Sequence, residues 1–229
     1  MWQPLSSIFP FQKQSEKQVN VGKKLESILD RQYRRPRGIV GRLIGHRMAR
    51  QHQPENVWTV SLLSIQPTDR VLEVGFGPGV AIELVAALAT HGSVTGVDFS
   101  PAMMTIAKRR NAQTIKAGRV ELAYGEATKL PFADASFDKA LSIHTLYFWS
   151  DPRQPLMELQ RVLKPGGILA LTFLSREHWP RGETAETISG VYTGQEVVQL
   201  MLEAGFAQGQ VELGPAQKTF REISVIATK

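Results

Sequence analysis

Three glycines alternate with other residues in Glu73-Val74-Gly75-Phe76-Gly77-Pro78-Gly79, directly behind the apolar run Val71-Leu72. Residues without a β-carbon let the backbone turn sharply and approach a ligand with no side chain intervening. A dinucleotide fingerprint starting at Gly75 would need its third glycine at 80; that position is Val80, so the spacing disfavours a nicotinamide cofactor. Further on, His144 closes a strand-like run with an imidazole able to take a proton near neutral pH. Tyr147-Phe148-Trp149 follow, three rings that can stack on a flat ligand, face a cation or pack a core. Cysteine is absent, which removes thiolate metal sites, iron–sulfur clusters, disulfides and cysteine nucleophiles together.

The elements that must position these residues alternate along the chain. Arg70 to Val74 is rich in branched residues and stops at glycines, as a buried strand does, and a helix follows over 81–88. A second strand is expected at 94–97. Ser100-Pro101 then supplies an N-cap and a first-turn proline for a helix through Arg109 or beyond. Strands at 120–123 and 137–143 come next, Asp151-Pro152 opens another helix, and Gly166-Gly167 precede a fifth strand at 168–173. Thr193-Gly194-Gln195-Glu196 is a capping-box sequence. Two closing strands, 206–213 and 220–227, are joined by Gly214-Pro215 and must be antiparallel. The alternation predicts an α/β fold, a parallel sheet covered by helices on both faces. Before residue 70 the spacing reads as helical.

A glycine loop of this spacing after an acidic residue resembles motif I of the class I S-adenosylmethionine-dependent methyltransferases, and further segments follow in that family's order. Asp98 ends the second strand, where an ionised carboxylate suits the two ribose hydroxyls. Gly125-Glu126-Ala127-Thr128-Lys129-Leu130-Pro131-Phe132 resembles the G-D-A-x-x-L-P-F segment that meets the adenine, with Glu in place of Asp. Ser136 to His144 and Leu159 to Gly167 match the fourth strand and the turn before the fifth. The resemblance covers about residues 70–175, with the branch that includes ubiquinone- and menaquinone-biosynthesis methyltransferases. It implies a Rossmann-like sheet of seven strands, mostly parallel with an antiparallel last strand, and a helical N-terminal lid. It implies S-adenosylmethionine as cofactor, S-adenosylhomocysteine as product, and no metal. Carried over to this chain, cofactor contacts fall on Glu73, Gly75, Phe76, Gly77 and Gly79 of the loop. Asp98, Phe99, Glu126, Ala127 and Ile143 complete them.

A sulfonium is a high-energy methyl donor, so transfer needs mainly a nucleophile held in line with water excluded. A phenol or carbon acid also needs a base. His144 is the candidate for that role; the alternative is an imidazole that only hydrogen-bonds backbone or encloses the cofactor. Tyr147 and Trp149 are candidate acceptor contacts. Arg37 is a third if it faces the pocket, in which case the acceptor is anionic; if it faces water its charge reports solubility alone.

Of the 229 residues, 42% are hydrophobic and 21% charged, which fits one globular core and excludes wholesale disorder. The net charge of +6 is concentrated in residues 1–55, with 11 Lys and Arg against 4 Asp and Glu. We therefore divide the chain into a basic helical extension or lid, 1–55, and a methyltransferase domain, 56–229. Trp179 to Ile188 is a second expected lid piece. A small-molecule acceptor is the leading expectation. One alternative is a lipid-directed enzyme held at a membrane surface by the basic segment with Trp2, Ile8, Phe9 and Phe11. Another is a nucleic-acid methyltransferase, disfavoured because Ser142-Ile143-His144-Thr145 lacks the N-P-P-Y type sequence that grips a base amino group. A cofactor-binding module without turnover is the last. Lack of a signal sequence makes a cytoplasmic location the expectation; oligomeric state is left open.

Overall fold

Every residue of Val71 to Val74 is buried, because both faces of this strand are covered. That is why the adjacent residues Val71 and Leu72 are both apolar, with no alternation between them. The computed structural model describes residues 52–178, 190–215 and 221–229. Of the expected lid pieces, residues 1–51, with Arg37 and the N-terminal aromatic residues, and Trp179 to Ile188 lie outside them, while residues 52–55 are described.

The described chain opens with helix α1 (Gln53–Leu62), then β1 (Arg70–Val74), α2 (Val80–Leu88), β2 (Ser93–Asp98), α3 (Pro101–Arg110), the short α4 (Ala112–Lys116), β3 (Val120–Tyr124) and β4 (Phe137–Ile143). Helix α5 (Arg153–Val162), β5 (Leu163–Leu174), α6 (Gly194–Glu203), β6 (Gln208–Leu213) and β7 (Glu222–Thr228) follow. One sheet has the order β3-β2-β1-β4-β5-β7-β6. Strands β1 to β5 run parallel, and β7 runs antiparallel to both β5 and β6. Successive strands step outward in opposite directions from β1 and β4. A crevice is left between their carboxyl ends, where ligands of open α/β sheets bind.

The two faces bury different helices. Leu72 and Val74 pack with Leu156, Leu159 and Val162 of α5 and with Val197 and Met201 of α6. Val71, one residue out of phase, packs with Val60 of α1, Ile82 and Val85 of α2, and Ala107 of α3. Helix α1 is further sewn to the sheet by hydroxyls: Thr59 Oγ1 lies 2.7 Å from Thr172 Oγ1, which in turn donates to Ser224 Oγ at 3.0 Å. The boundary drawn at 55/56 thus falls inside the first turn of a helix that belongs to the sheet's own layer.

Local signals account for most element ends. Ser100 Oγ accepts from Met103 N, and Thr193 with Glu196 forms the reciprocal capping box. The third helix stops at Arg110 because the Asn111 side chain bonds outward to Gly79 O. The fifth strand begins earlier than the glycine pair indicates: Leu163 pairs with Phe137, and Lys164 to Gly167 bulge before Ile168 resumes the ladder at Lys139. No helix among the described residues is long and apolar enough to cross a membrane.

Candidate active site

The glycine loop takes its shape from contacts at both ends. Gly75 N donates to Val97 O at 2.7 Å, turning the chain across the end of β2. Gly75 has φ +77°, and a β-carbon there would run into the Thr145 methyl, so both the conformation and the close approach call for glycine. At the far end Gly79, φ +76°, comes against Ala107 and Asn111 of the neighbouring helix layer. Asn111 Nδ2 donates to Gly79 O at 3.1 Å, and Arg110 Nε donates to Pro78 O at 3.1 Å. The third glycine serves helix packing rather than the cavity.

Asp98 joins this loop to β2. Its Oδ2 accepts from Gly77 N at 2.8 Å and its Oδ1 from Ser100 N at 2.7 Å. Burial pushes its pKa up against these backbone hydrogen bonds. Glu73 is 2% exposed, and its Oε2 has no hydrogen-bond partner. Burial raises its pKa well above the ordinary carboxylate value, and the charge on Asp98 raises it further. Two acids held toward their neutral forms in one cavity form a site that a cation would stabilise.

Across the crevice, β4 ends in a network of hydroxyls. Ser142 Oγ donates to Val74 O at 2.7 Å and meets Thr145 Oγ1 at 2.5 Å. His144 has φ +56°, a conformation rare for residues with a β-carbon, and its N–H donates to Thr172 O at 2.9 Å. Its Nδ1 lies 3.4 Å from Tyr147 Oη. Burial, with a smaller effect of neighbouring His52, pushes the imidazole down to about 3, so it is uncharged at neutral pH.

Two cavities meet in this crevice, sharing Gly75, Asp98, Phe99, Thr145 and Phe148. The larger, about 300 Å³, runs past Gly125, Glu126, Ala127 and Trp149. The smaller, about 100 Å³, is bounded by Glu73, Phe76, Gly77, Ile143 and His144, together with His52, Asn56 and Met103. Most of the residues expected to hold the cofactor therefore share one crevice, apart from Gly79. The Phe76 ring is 2% exposed and packs among Ile82 and Val85, so it reaches the cavity from the core side. Tyr147 lines neither cavity: its hydroxyl accepts from Leu174 N and faces His144. Its middle neighbour Phe148, 42% exposed, lines both.

Phe148 belongs to the aromatic trio that the sequence singles out, and Thr145 directly follows His144. His52 and Asn56 carry no such mark, because no sequence signal sets how α1 lies against β4. The loop carrying Glu126 is clamped by α5. Arg161 donates to Leu130 O and Phe132 O, while Glu158 Oε2 accepts from Leu130 N at 2.7 Å.

Comparison with known proteins bears on what this crevice does. Residues 72–171 match a methyltransferase domain family. The chain is 30% identical over 186 residues to the uncharacterized methyltransferase YdaC of Bacillus subtilis, covering 81% of this chain and 96% of that one. It is 37% identical over 111 residues to the ubiquinone/menaquinone biosynthesis C-methyltransferase UbiE of Geotalea daltonii, a span of 48% of this chain and 47% of the relative. In fold it matches a SAM-dependent methyltransferase of Aquifex aeolicus with a TM-score of 0.62 at 23% identity, over 78% of this chain and 92% of the other. A strand order that opens a crevice between β1 and β4, a glycine loop bound to the β2 carboxylate and these likenesses converge: the chain belongs to the class I S-adenosylmethionine-dependent methyltransferases.

Proposed function

We propose that the enzyme methylates a small-molecule acceptor seated between the first turn of α1 and the exit of β4. The observation that carries this reading is the junction of the two cavities at Gly75, Asp98 and Phe148. The larger suits an adenosine, with Glu126 and Ala127 beside the base and Trp149 along its wall. Asp98 faces the ribose: its carboxylate lies where the two cavities meet, and an acceptor-only group suits two hydroxyl donors. The acids Glu73 and Asp98 match the ammonium and sulfonium charges of the cofactor. The quinone-biosynthesis relative supports an acceptor of small-molecule size.

When bound, the cofactor supplies a methyl group on a cationic sulfur, which keeps the carbon–sulfur electron pair as the new bond forms to the acceptor. This chain's share is to orient and to exclude water. Phe148 and Met103 cover the junction with apolar surface. His144, with its pKa near 3, accepts a hydrogen bond readily and a proton poorly. It orients the acceptor and takes a proton only from an atom that methylation has made acidic.

The test supplies methyl-tritiated S-adenosylmethionine and the full chain with three acceptor pools: metabolites below about 1 kDa, total RNA, and vesicles containing anionic phospholipid. Label in the metabolite pool supports the proposal. Label confined to RNA or lipid, or absent from all three, overturns it.

A further inference from the structure

His52 stands outside every motif that the family resemblance supplies, yet the start of α1 brings its ring centroid within 4.8 Å of the His144 ring at an interplanar angle of 52°. Both residues line the smaller cavity. His144 Nδ1 faces Tyr147, so Nε2 lies on the opposite edge of its ring, where it is shielded from solvent and has no hydrogen-bond partner among the described residues. His52 Nδ1 is in the same condition. Buried polar atoms are nearly always satisfied, and two unsatisfied ring nitrogens on touching residues that line one cavity need a reason. Packing does not supply it, since an apolar ring of similar shape would fill the space without stripping water from a nitrogen.

The charge state narrows what these nitrogens can meet. Burial keeps both imidazoles uncharged, against the opposing pull of Glu55 on His52. A neutral imidazole has one nitrogen that donates and one that accepts, so a facing pair can hold a group that does both. A hydroxyl is such a group. Among the described residues no Lys or Arg lines this cavity, and its acidic members are Glu73 and Asp98. A carboxylate or phosphate on the acceptor would meet no counter-charge there. Among the described residues no cluster of three His, Cys, Asp or Glu is placed to hold a metal.

We propose that His52 and His144 form a two-point hydrogen-bonding site for an uncharged, hydroxyl-bearing acceptor, with His52 Nδ1 fixing the hydroxyl's direction beside the methyl position. This rests on the small-molecule methyltransferase reading. It adds a substrate class and a residue to it.

The test uses the full chain saturated with S-adenosylhomocysteine and three probes of one size: phenol, benzoate and benzylamine. Phenol should bind most tightly by calorimetry. His52→Phe should lower phenol affinity about fivefold to tenfold, the worth of one hydrogen bond, and leave S-adenosylhomocysteine affinity within about twofold. His52→Asn, whose amide reaches the place of Nδ1, should restore most of the loss. In the ¹⁵N-histidine spectrum phenol should shift His52 Nδ1 and His144 Nε2. Tighter binding of benzoate or benzylamine, no binding of phenol, or phenol affinity unchanged in His52→Phe overturns the assignment. Failure of S-adenosylhomocysteine itself to bind would instead strike the methyltransferase reading beneath it.

Discussion

The Asp98 carboxylate accepts the Gly77 N–H at 2.8 Å, so the acid at the end of β2 holds the glycine loop in place before any ligand arrives. The same group therefore shapes the loop and faces the cavity. Asp98→Ala removes both functions at once, leaving the backbone amides of Gly77, Phe99 and Ser100 without this acceptor. S-adenosylhomocysteine binding should weaken by about 1.5 to 3 kcal/mol, the range for hydrogen bonds to a charged group. Isothermal titration calorimetry reads this directly, and unchanged affinity would remove Asp98 from the site.

Glu73 should make the fold less stable as pH rises. Its folded pKa is raised above the ordinary 4.5 by burial and then by Asp98, so the native state holds this proton more tightly than the unfolded chain does. The stabilising contribution is complete below pH 4.5 and fades as pH climbs through the folded value. Glu73→Gln stays neutral throughout. Its melting temperature should equal or fall below the parent's near pH 4 and exceed it at pH 8, by about 2 to 4 °C for each 1 kcal/mol relieved. A difference in melting temperature that is flat across this range would contradict the buried-acid account.

His144 carries the opposite sign. Its folded pKa, about 3, lies below the ordinary 6.5, so the contribution is complete above pH 6.5 and is lost as pH falls toward 3. His144→Phe should flatten the acid limb of the stability curve by a few kcal/mol at most. Titration followed by NMR should show the parent's imidazole uncharged from pH 8 to 5.5. An inflection near 6.5 would return His144 to the role of an ordinary general base.

Arg161 acts on the larger cavity from a distance. Its guanidinium donates to Leu130 O and Phe132 O and pairs with Glu158 and Asp134, holding the segment that follows Glu126 and Ala127. Arg161→Ala should cost about 1 to 3 kcal/mol of stability and weaken S-adenosylhomocysteine binding severalfold. Arg161→Lys should not restore either, because one ammonium cannot reproduce the fork of contacts. Binding unchanged in the destabilised Ala variant would show that the clamp serves the fold alone.

Legibility from sequence followed the range of the interactions involved. Val71-Leu72 before Gly75, Ser100 before Pro101 and Thr193 three residues ahead of Glu196 act through neighbours on the chain, and each formed the strand, cap or capping box its spacing implied. The antiparallel closing strands followed from the shortness of their connection. Glu126 and Ala127 reached the larger cavity because one strand and one turn carry them there. The roles of the aromatic trio could not be read this way. Which ring faces a ligand depends on the short helical turn Leu146–Phe148, which sends Phe148 to both cavities and Tyr147 back to Leu174.

Sequence alone determined the order of strands and helices, the spacing that disfavours a dinucleotide, and the acids at the ends of the first two strands, all properties of short segments. Tertiary structure alone decided that α1 belongs to the sheet, that Thr59 meets Thr172, and that His52 faces His144 across the crevice. Those pairings join residues far apart along the chain, and they exist only where packing brings distant surfaces together and shuts water out.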